Sequence, residues 1–270
     1  MRKLGVILFL CFGFPLWAQI DTDRPAYTNS VNVVPKNKLQ VEFGLEYFFQ
    51  STEQRPVIQT AIRVTRLEQI SGPFTFLRYG ISDQTELRLE LPTTTFSRGI
   101  FSNDSITQYS ESPWNRAMGI GLKQRIVNNE KFKLSNIITL RSRRDYLVTS
   151  ERVVGFHLAN DLLWDYASSK RSKIAGTLGF AGGKDVYQVN AAVLIGRVFG
   201  DHLWLQSELV WQNALFEDRR NNFRFTTFNL SAQYPFSERS AIDVTLGSII
   251  RPSTLFPPNL SVQLGYAYLF

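Results

Sequence analysis

Leu39-Gln40-Val41-Glu42-Phe43-Gly44-Leu45-Glu46-Tyr47-Phe48-Phe49-Gln50 decides the fold. Leu39, Val41, Phe43, Leu45, Tyr47 and Phe49 alternate with Gln40, Glu42, Gly44, Glu46, Phe48 and Gln50. Side chains two apart share one face of a strand, so this stretch is a strand with one apolar face and one mostly polar face. The same alternation recurs through the chain. Leu87, Leu89 and Leu91 interleave with Glu86, Arg88 and Glu90, and Phe132, Leu134, Ile138 and Leu140 with Lys133, Ser135, Thr139, Arg141 and Arg143. Phe156, Leu158, Leu162, Trp164 and Tyr166 interleave with His157, Ala159, Asp161 and Asp165, and Ile242, Val244, Leu246 and Ile250 with Asp243, Thr245, Gly247 and Arg251.

Counted this way, strands are expected at 38–50, 73–80, 85–96, 113–127, 131–145, 156–167, 172–182, 186–199, 203–216, 223–234, 240–251 and 259–270. Most reach the roughly 9–11 residues that a tilted strand needs to cross a bilayer. The second strand is open to an earlier start within Ile58–Leu67, and the tenth shifts phase at Thr226 and Thr227, as a bulge would make it do. The connections alternate between short turns, such as Gly80–Gln84 and Asn128–Lys131, and longer segments, such as Ser51–Gly72, Ser97–Ser112 and Tyr146–Gly155. Short turns on one side and longer loops on the other belong to barrels of the bacterial outer membrane. The expectation is therefore an all-β fold, a transmembrane antiparallel barrel of about 12 strands.

The start of the chain places it in an exported compartment. Arg2 and Lys3 precede an apolar run from Leu4 to Phe14, and Pro15-Leu16-Trp17-Ala18 leads into Gln19. That order is the one a secretory signal peptide shows, with cleavage expected after Ala18. The run is shorter than the roughly 20 residues of a membrane-spanning helix. The division expected is 1–18 signal peptide, 19–37 N-terminal periplasmic or plug segment, and 38–270 barrel. The one cysteine, Cys11, lies in the first part, so the mature chain has neither a disulfide framework nor a thiolate nucleophile. The formal charge is +7, or +5 without Arg2 and Lys3, and the basic residues are mixed with acidic ones. No basic stripe marks a nucleic-acid partner.

A soluble sandwich of two sheets would alternate too. Two features favour the membrane. Apolar faces end in aromatics at Trp164–Tyr166, Trp211, Phe216, Tyr234, Tyr266 and Tyr268, as aromatic girdles at the two water interfaces require. The chain also ends on a strand, Gln263-Leu264-Gly265-Tyr266-Ala267-Tyr268-Leu269-Phe270. Its polar residue (Gln263), glycine (Gly265) and closing aromatics (Tyr268, Phe270) look like the terminal signal read by the barrel-assembly machinery, for which a strand edge is a template.

Ile20-Asp21-Thr22-Asp23-Arg24-Pro25, then Val34-Pro35-Lys36 and Gln40-Val41-Glu42-Phe43-Gly44, then Leu77-Arg78-Tyr79-Gly80 and Glu86-Leu87-Arg88-Leu89, follow one another over residues 20–95. This succession resembles the family of outer-membrane transporters labelled after the meta-cleavage pathway of phenol degradation. The resemblance implies an outer-membrane barrel that moves small, aromatic or hydrophobic, molecules.

Candidate site residues follow from the polar faces. Glu86, Arg88, Glu90, Lys123, Arg125, Lys133, Arg141, Arg143, Asp161 and Asp165 would line the lumen, either as a charged constriction that selects permeants or as a salt-bridged filling. Asp21, Asp23 and Arg24 would form a plug or latch, with a hard-cation site as the alternative. His157 and His202 are the only histidines, and neither falls on a lipid-facing position. No phosphate-binding glycine loop or His/Cys metal cluster is present in the sequence. No catalytic residue, metal or cofactor is therefore assigned. The expected partners are outer-membrane lipid, the assembly machinery and a small solute. Passive transport is the first reading. A closed barrel acting through its surface is the second, and a lipid-modifying enzyme a distant third. Asn136, Asn160 and Ser207 interrupt the apolar face, either as contact points for a neighbour or as single polar residues tolerated near an interface.

Overall fold

The computed structural model describes residues 22–23, 28–51, 64–101, 107–116, 118–145, 153–183, 186–200, 202–216, 223–251 and 259–270. The expected signal peptide, Asp21 and Arg24 lie outside the described residues. Fourteen strand segments make one sheet: β1 (Leu39–Ser51), β2 (Val64–Gly80), β3 (Thr85–Leu91), β4 (Thr93–Phe101), β5 (Thr107–Arg116), β6 (Gly119–Asn128), β7 (Phe132–Asp145), β8 (Val153–Ser169), β9 (Ser172–Gly183), β10 (Val186–Phe199), β11 (Leu203–Phe216), β12 (Phe223–Ser237), β13 (Ser240–Arg251) and β14 (Asn259–Leu269).

The sheet closes on itself as a twelve-strand antiparallel barrel. β2 pairs with β3 through Thr75–Gly80 and with β4 through Val64–Gly72, while β6 pairs with β3 and β5 with β4. β3 and β4 are thus one stave, interrupted at Pro92, which has no amide hydrogen to give the ladder. β5 and β6 form the next. The seam joins β1 to β14 from Gln40↔Leu269 to Gln50↔Asn259, and the Phe270 amide donates to the Leu39 carbonyl at 2.8 Å. Closure leaves no edge, which a bilayer demands because it offers unpaired amides no partner.

Two expectations about connections are corrected. Ser51–Gly72 and Ser97–Ser112 were expected as loops, yet β2 begins at Val64, β4 runs on to Phe101 and β5 begins at Thr107. These extensions are rich in Ser, Thr, Gln and Arg. Polar residues there stand in both phases of the alternation, so periodicity thins while the hydrogen-bond ladder continues. The earlier start of the second strand and the irregularity at Thr226/Thr227 are both present.

Solvent exposure is inverted relative to a water-soluble protein. Large apolar side chains stand outside on every other residue, as at Leu178 (56% exposed), Ile138 and Leu246. Their immediate neighbours are buried and polar, as at Thr177 (4% exposed), Thr139 and Thr245. The start of β1, the C-terminal Phe270 and the short turns share one end, since Leu39 pairs with Tyr79 and Gln40 with Leu269. In barrels of this type that end faces the periplasm.

Candidate functional site

Residues 22–23 and 28–35, ahead of β1, lie inside the barrel at its short-turn end. They enter beside β2, where Lys36 bridges Gly80 and the Asn37 amide donates to the Gly80 carbonyl at 2.8 Å. A Cβ at Gly80 would fall 2.1 Å from the Pro35 carbonyl oxygen, so only glycine lets the segment pass so close to the wall. Val34 then packs with Ala241, Ala267 and Leu269, and Val31 with Ile137 and Leu163. These inward apolar residues break the polar alternation of the wall just where the segment leans on it.

Charged groups of the wall hold the segment's main chain. Glu86 Oε2 accepts from the Val34 amide at 2.8 Å, Glu208 Oε1 from the Thr28 amide at 2.6 Å, and Glu42 Oε1 from the Asp23 amide at 3.2 Å. Lys133 Nζ donates to Asn32 Oδ1 at 2.9 Å, and Ser135 Oγ to the Val31 carbonyl at 2.5 Å. The Ser30 amide donates back to Asp23 Oδ1 at 3.0 Å.

Asp23 sits at the centre of a buried ionic cluster. Arg88 Nη1 contacts its Oδ2 directly, Arg78 Nε lies 3.5 Å from the same oxygen, and Lys123 Nζ lies 3.4 Å from Oδ1. Arg78 donates two bonds to Glu86, at 2.8 and 2.9 Å, and one to Glu42 at 2.9 Å. Three cations (Arg78, Arg88, Lys123) therefore face three carboxylates (Asp23, Glu42, Glu86), and each side chain is at most 3% exposed. A buried charge is tolerable only when paired in this way. Burial pushes the Asp23 carboxyl up, but the attraction of Arg78, Arg88 and Lys123 outweighs it and holds the group well below the usual carboxylate range.

The expected lumen residues divide accordingly. Glu86, Arg88 and Lys123 belong to the cluster. Glu90 and Arg141 pair with each other at 2.7 and 2.8 Å, further from the short-turn end and partly open. Asp165 faces Lys173 at 3.7 Å. Asp161 lies beside Asn190 over Gly179, where a Cβ would meet both side chains. Lys133 is taken up by the segment. Arg125 sits at the rim, where its Nη2 donates to the Asp83 carbonyl of a turn. The side chain of Arg143 lies outside the described residues.

Arg78, Glu42 and Glu208 read from the sequence as polar-face charges but were not counted among the candidate lumen residues. Arg78 occupies a polar position inside the Leu77-Arg78-Tyr79-Gly80 motif, which was the available signal. Asp23 is ringed by cations, an arrangement that repels a metal ion. Gly265 has a further structural reason: the Asp243 carboxylate fills the space a side chain there would need, at 2.3 Å from its Cβ position.

No protein-family model matches the sequence, and no curated protein matches it either. Solved structures do match. The COG4313 outer membrane channel from Pseudomonas putida F1 aligns with a TM-score of 0.63 and 13% identity, over 92% of this chain and 99% of that one. The translocator domain of autotransporter NalP from Neisseria meningitidis aligns at 0.50 and 11% identity, over 86% and 88%. The NanC porin aligns at 0.50 and 6% identity, over 85% and 98%. At such identities the likeness is one of fold, and it defines the chain as a β-barrel of the outer-membrane class. The phenol-pathway label suggested by the N-terminal motifs is not confirmed by any of them.

Proposed function

We propose that this chain is a passive outer-membrane channel for small solutes, narrowed at its periplasmic end by its own N-terminal segment. The observation that carries this reading is a closed ring whose outside is apolar and whose inside is polar and charged, with residues 22–23 and 28–35 bound by wall side chains. Structural neighbours whose names denote a channel and a porin agree with it. An energy-coupling domain is not part of the reading, so flux follows the concentration gradient. The solute would be small, with aromatic or hydrophobic molecules included on the strength of the N-terminal motifs.

Export through a signal peptide cleaved after Ala18, recognition of Gln263, Gly265, Tyr268 and Phe270 by the assembly machinery, and residence in outer-membrane lipid belong to the same proposal. Enzymatic activity does not, since His157 occupies an inward position between lipid-facing Phe156 and Leu158. The lodged segment also favours a second reading, a barrel closed at this end that acts through its outer surface.

Planar-bilayer conductance separates the two. Small steps from the intact chain, growing severalfold when residues 22–35 are deleted, are expected for a narrowed channel. An intact chain that gives no steps, and no liposome swelling with neutral, anionic or aromatic solutes, would overturn the channel reading.

A further inference from the structure

Arg197 interrupts the lipid-facing row of β10. Ile195, Arg197 and Phe199 share the outer face of that strand and all three are exposed, while Leu194 and Gly196 between them are buried. Beside Arg197 a row of outward, exposed side chains runs from Tyr166 on β8 through Ile174 on β9 to Ile195 on β10. Arg197 is two residues nearer the periplasm than that row, opposite Ser172 and Leu205, and Phe199 lies beyond it. Tyr166 and Phe199 are part of the aromatic collar at this end, and such a collar settles at the level of the lipid headgroups. Arg197 therefore stands inside the collar, on the face that meets lipid.

An arginine in that position needs an anion. A guanidinium against hydrocarbon is costly, so its side chain extends toward the interface and pairs there. The Arg197 guanidinium carbon lies 5.7 Å from the centre of the Phe199 ring, so the charge leans toward the short turns. Among the described residues Arg197 forms no ion pair, and neither do Lys170 and Arg171. Those two make the turn between β8 and β9, both are exposed, and the Val198 amide donates to the Arg171 carbonyl at 2.8 Å. That bond holds the basic turn against β10, one residue from Arg197. Asp201, in the following turn, lies outside the described residues. Other short turns carry one charge of each sign, as in Glu130-Lys131 and Glu238-Arg239.

We propose that Lys170, Arg171 and Arg197 bind the phosphodiester of one phospholipid in the periplasmic leaflet, with preference for an anionic headgroup. The planar Arg197 guanidinium offers paired N–H donors to phosphate oxygens, and its neighbours add positive charge at headgroup level. The acyl chains then lie along Ile195, Ile174 and Tyr166. A headgroup with its own ammonium brings a like charge against the patch, whereas an anionic one does not. The inference rests on residence of the barrel in outer-membrane lipid and names the lipid class and the place of contact. Conduction does not enter it.

The test uses the folded full chain in detergent, titrated with dioctanoyl phosphatidylglycerol and read by native mass spectrometry. Folding of every variant is checked by its heat-modifiable migration on gels. One tightly bound phosphatidylglycerol is expected, with dioctanoyl phosphatidylcholine held severalfold more weakly. Arg197→Gln is expected to weaken the anionic lipid about fivefold or more, as the loss of one basic side chain at a membrane surface does. Arg197→Lys should recover part of that loss, because it restores the charge and not the paired donors. Arg239→Gln, in the turn between β12 and β13, is expected to change nothing. Glycerol phosphate at the same concentration is expected not to displace the lipid. A folded Arg197→Gln chain that binds like wild type, an Arg239→Gln chain weakened equally, or displacement by glycerol phosphate overturns the lipid site and leaves the barrel standing. A chain that takes up no lipid and stays dissolved without detergent overturns the barrel reading as well.

Discussion

Asp23 concentrates the energetics of the lumen in one side chain. It is the sole carboxylate that the described part of the N-terminal segment contributes to the cluster, and three wall cations converge on it. Removing one partner of a buried ionic group typically costs about 3–5 kcal/mol, because the remaining charges stay buried without compensation. Asp23→Asn is therefore expected to loosen the segment, seen as faster proteolysis near residue 23 and larger conductance steps. The sign of the pH effect follows from the direction of its shift. The folded carboxyl titrates below its ordinary value of 3.8, so its contribution is complete above that value and is lost as pH falls through the lower folded one. Steps of constant size from neutral pH down to about 4 are expected, with growth only below that. Growth between pH 7 and 5 would contradict the role assigned to Asp23. The Asp-x-Asp motif was visible in the sequence as a plug or latch. Its partners were not, because pairing residues 23, 42, 78, 86, 88 and 123 depends on how staves close and on how the segment turns back inside.

Each stave carries two solvents' worth of information, and its legibility follows from that. Where lipid lies outside and the lumen inside, as along β1, β8 and β14, alternation located the strand to within a few residues. Where β2, β4 and β5 carry polar residues in both phases, periodicity faded, so part of each read as loop. Interruptions of the lipid face are informative in another way. Asn136 on β7 and Asn160 on β8 both occupy outward positions, and each Nδ2 donates to the other's Oδ1 at 3.1 Å. The two amides satisfy each other, which removes the need for a neighbouring protein that the sequence alone raised. Asn160→Leu is expected to destabilise the barrel by about 1 kcal/mol, since it leaves the Asn136 amide unpaired in lipid. Asn136→Leu with Asn160→Leu together should recover most of that loss. Urea unfolding of the folded barrel measures both. Equal destabilisation by the single and double variants would show that the pair does not act as a unit.

At the scale of the whole molecule, the account depends on one inversion: apolar side chains point out of a closed ring and charged ones point in. The N-terminal segment and the ionic cluster are arranged inside a space that exists only if the ring closes through β1 and β14. The inversion is measurable on a single strand. Leu209 on β11 is 48% exposed on the outer face, while Gln206, three residues earlier, faces inward beside the N-terminal segment. A fluorophore attached to Leu209→Cys or to Gln206→Cys, with the folded chain in vesicles of brominated lipid, reports which side meets hydrocarbon. Strong quenching at position 209 and little at 206 is the predicted result. Equal quenching at both positions, or a chain that stays dissolved without detergent and shows none at either, would contradict it.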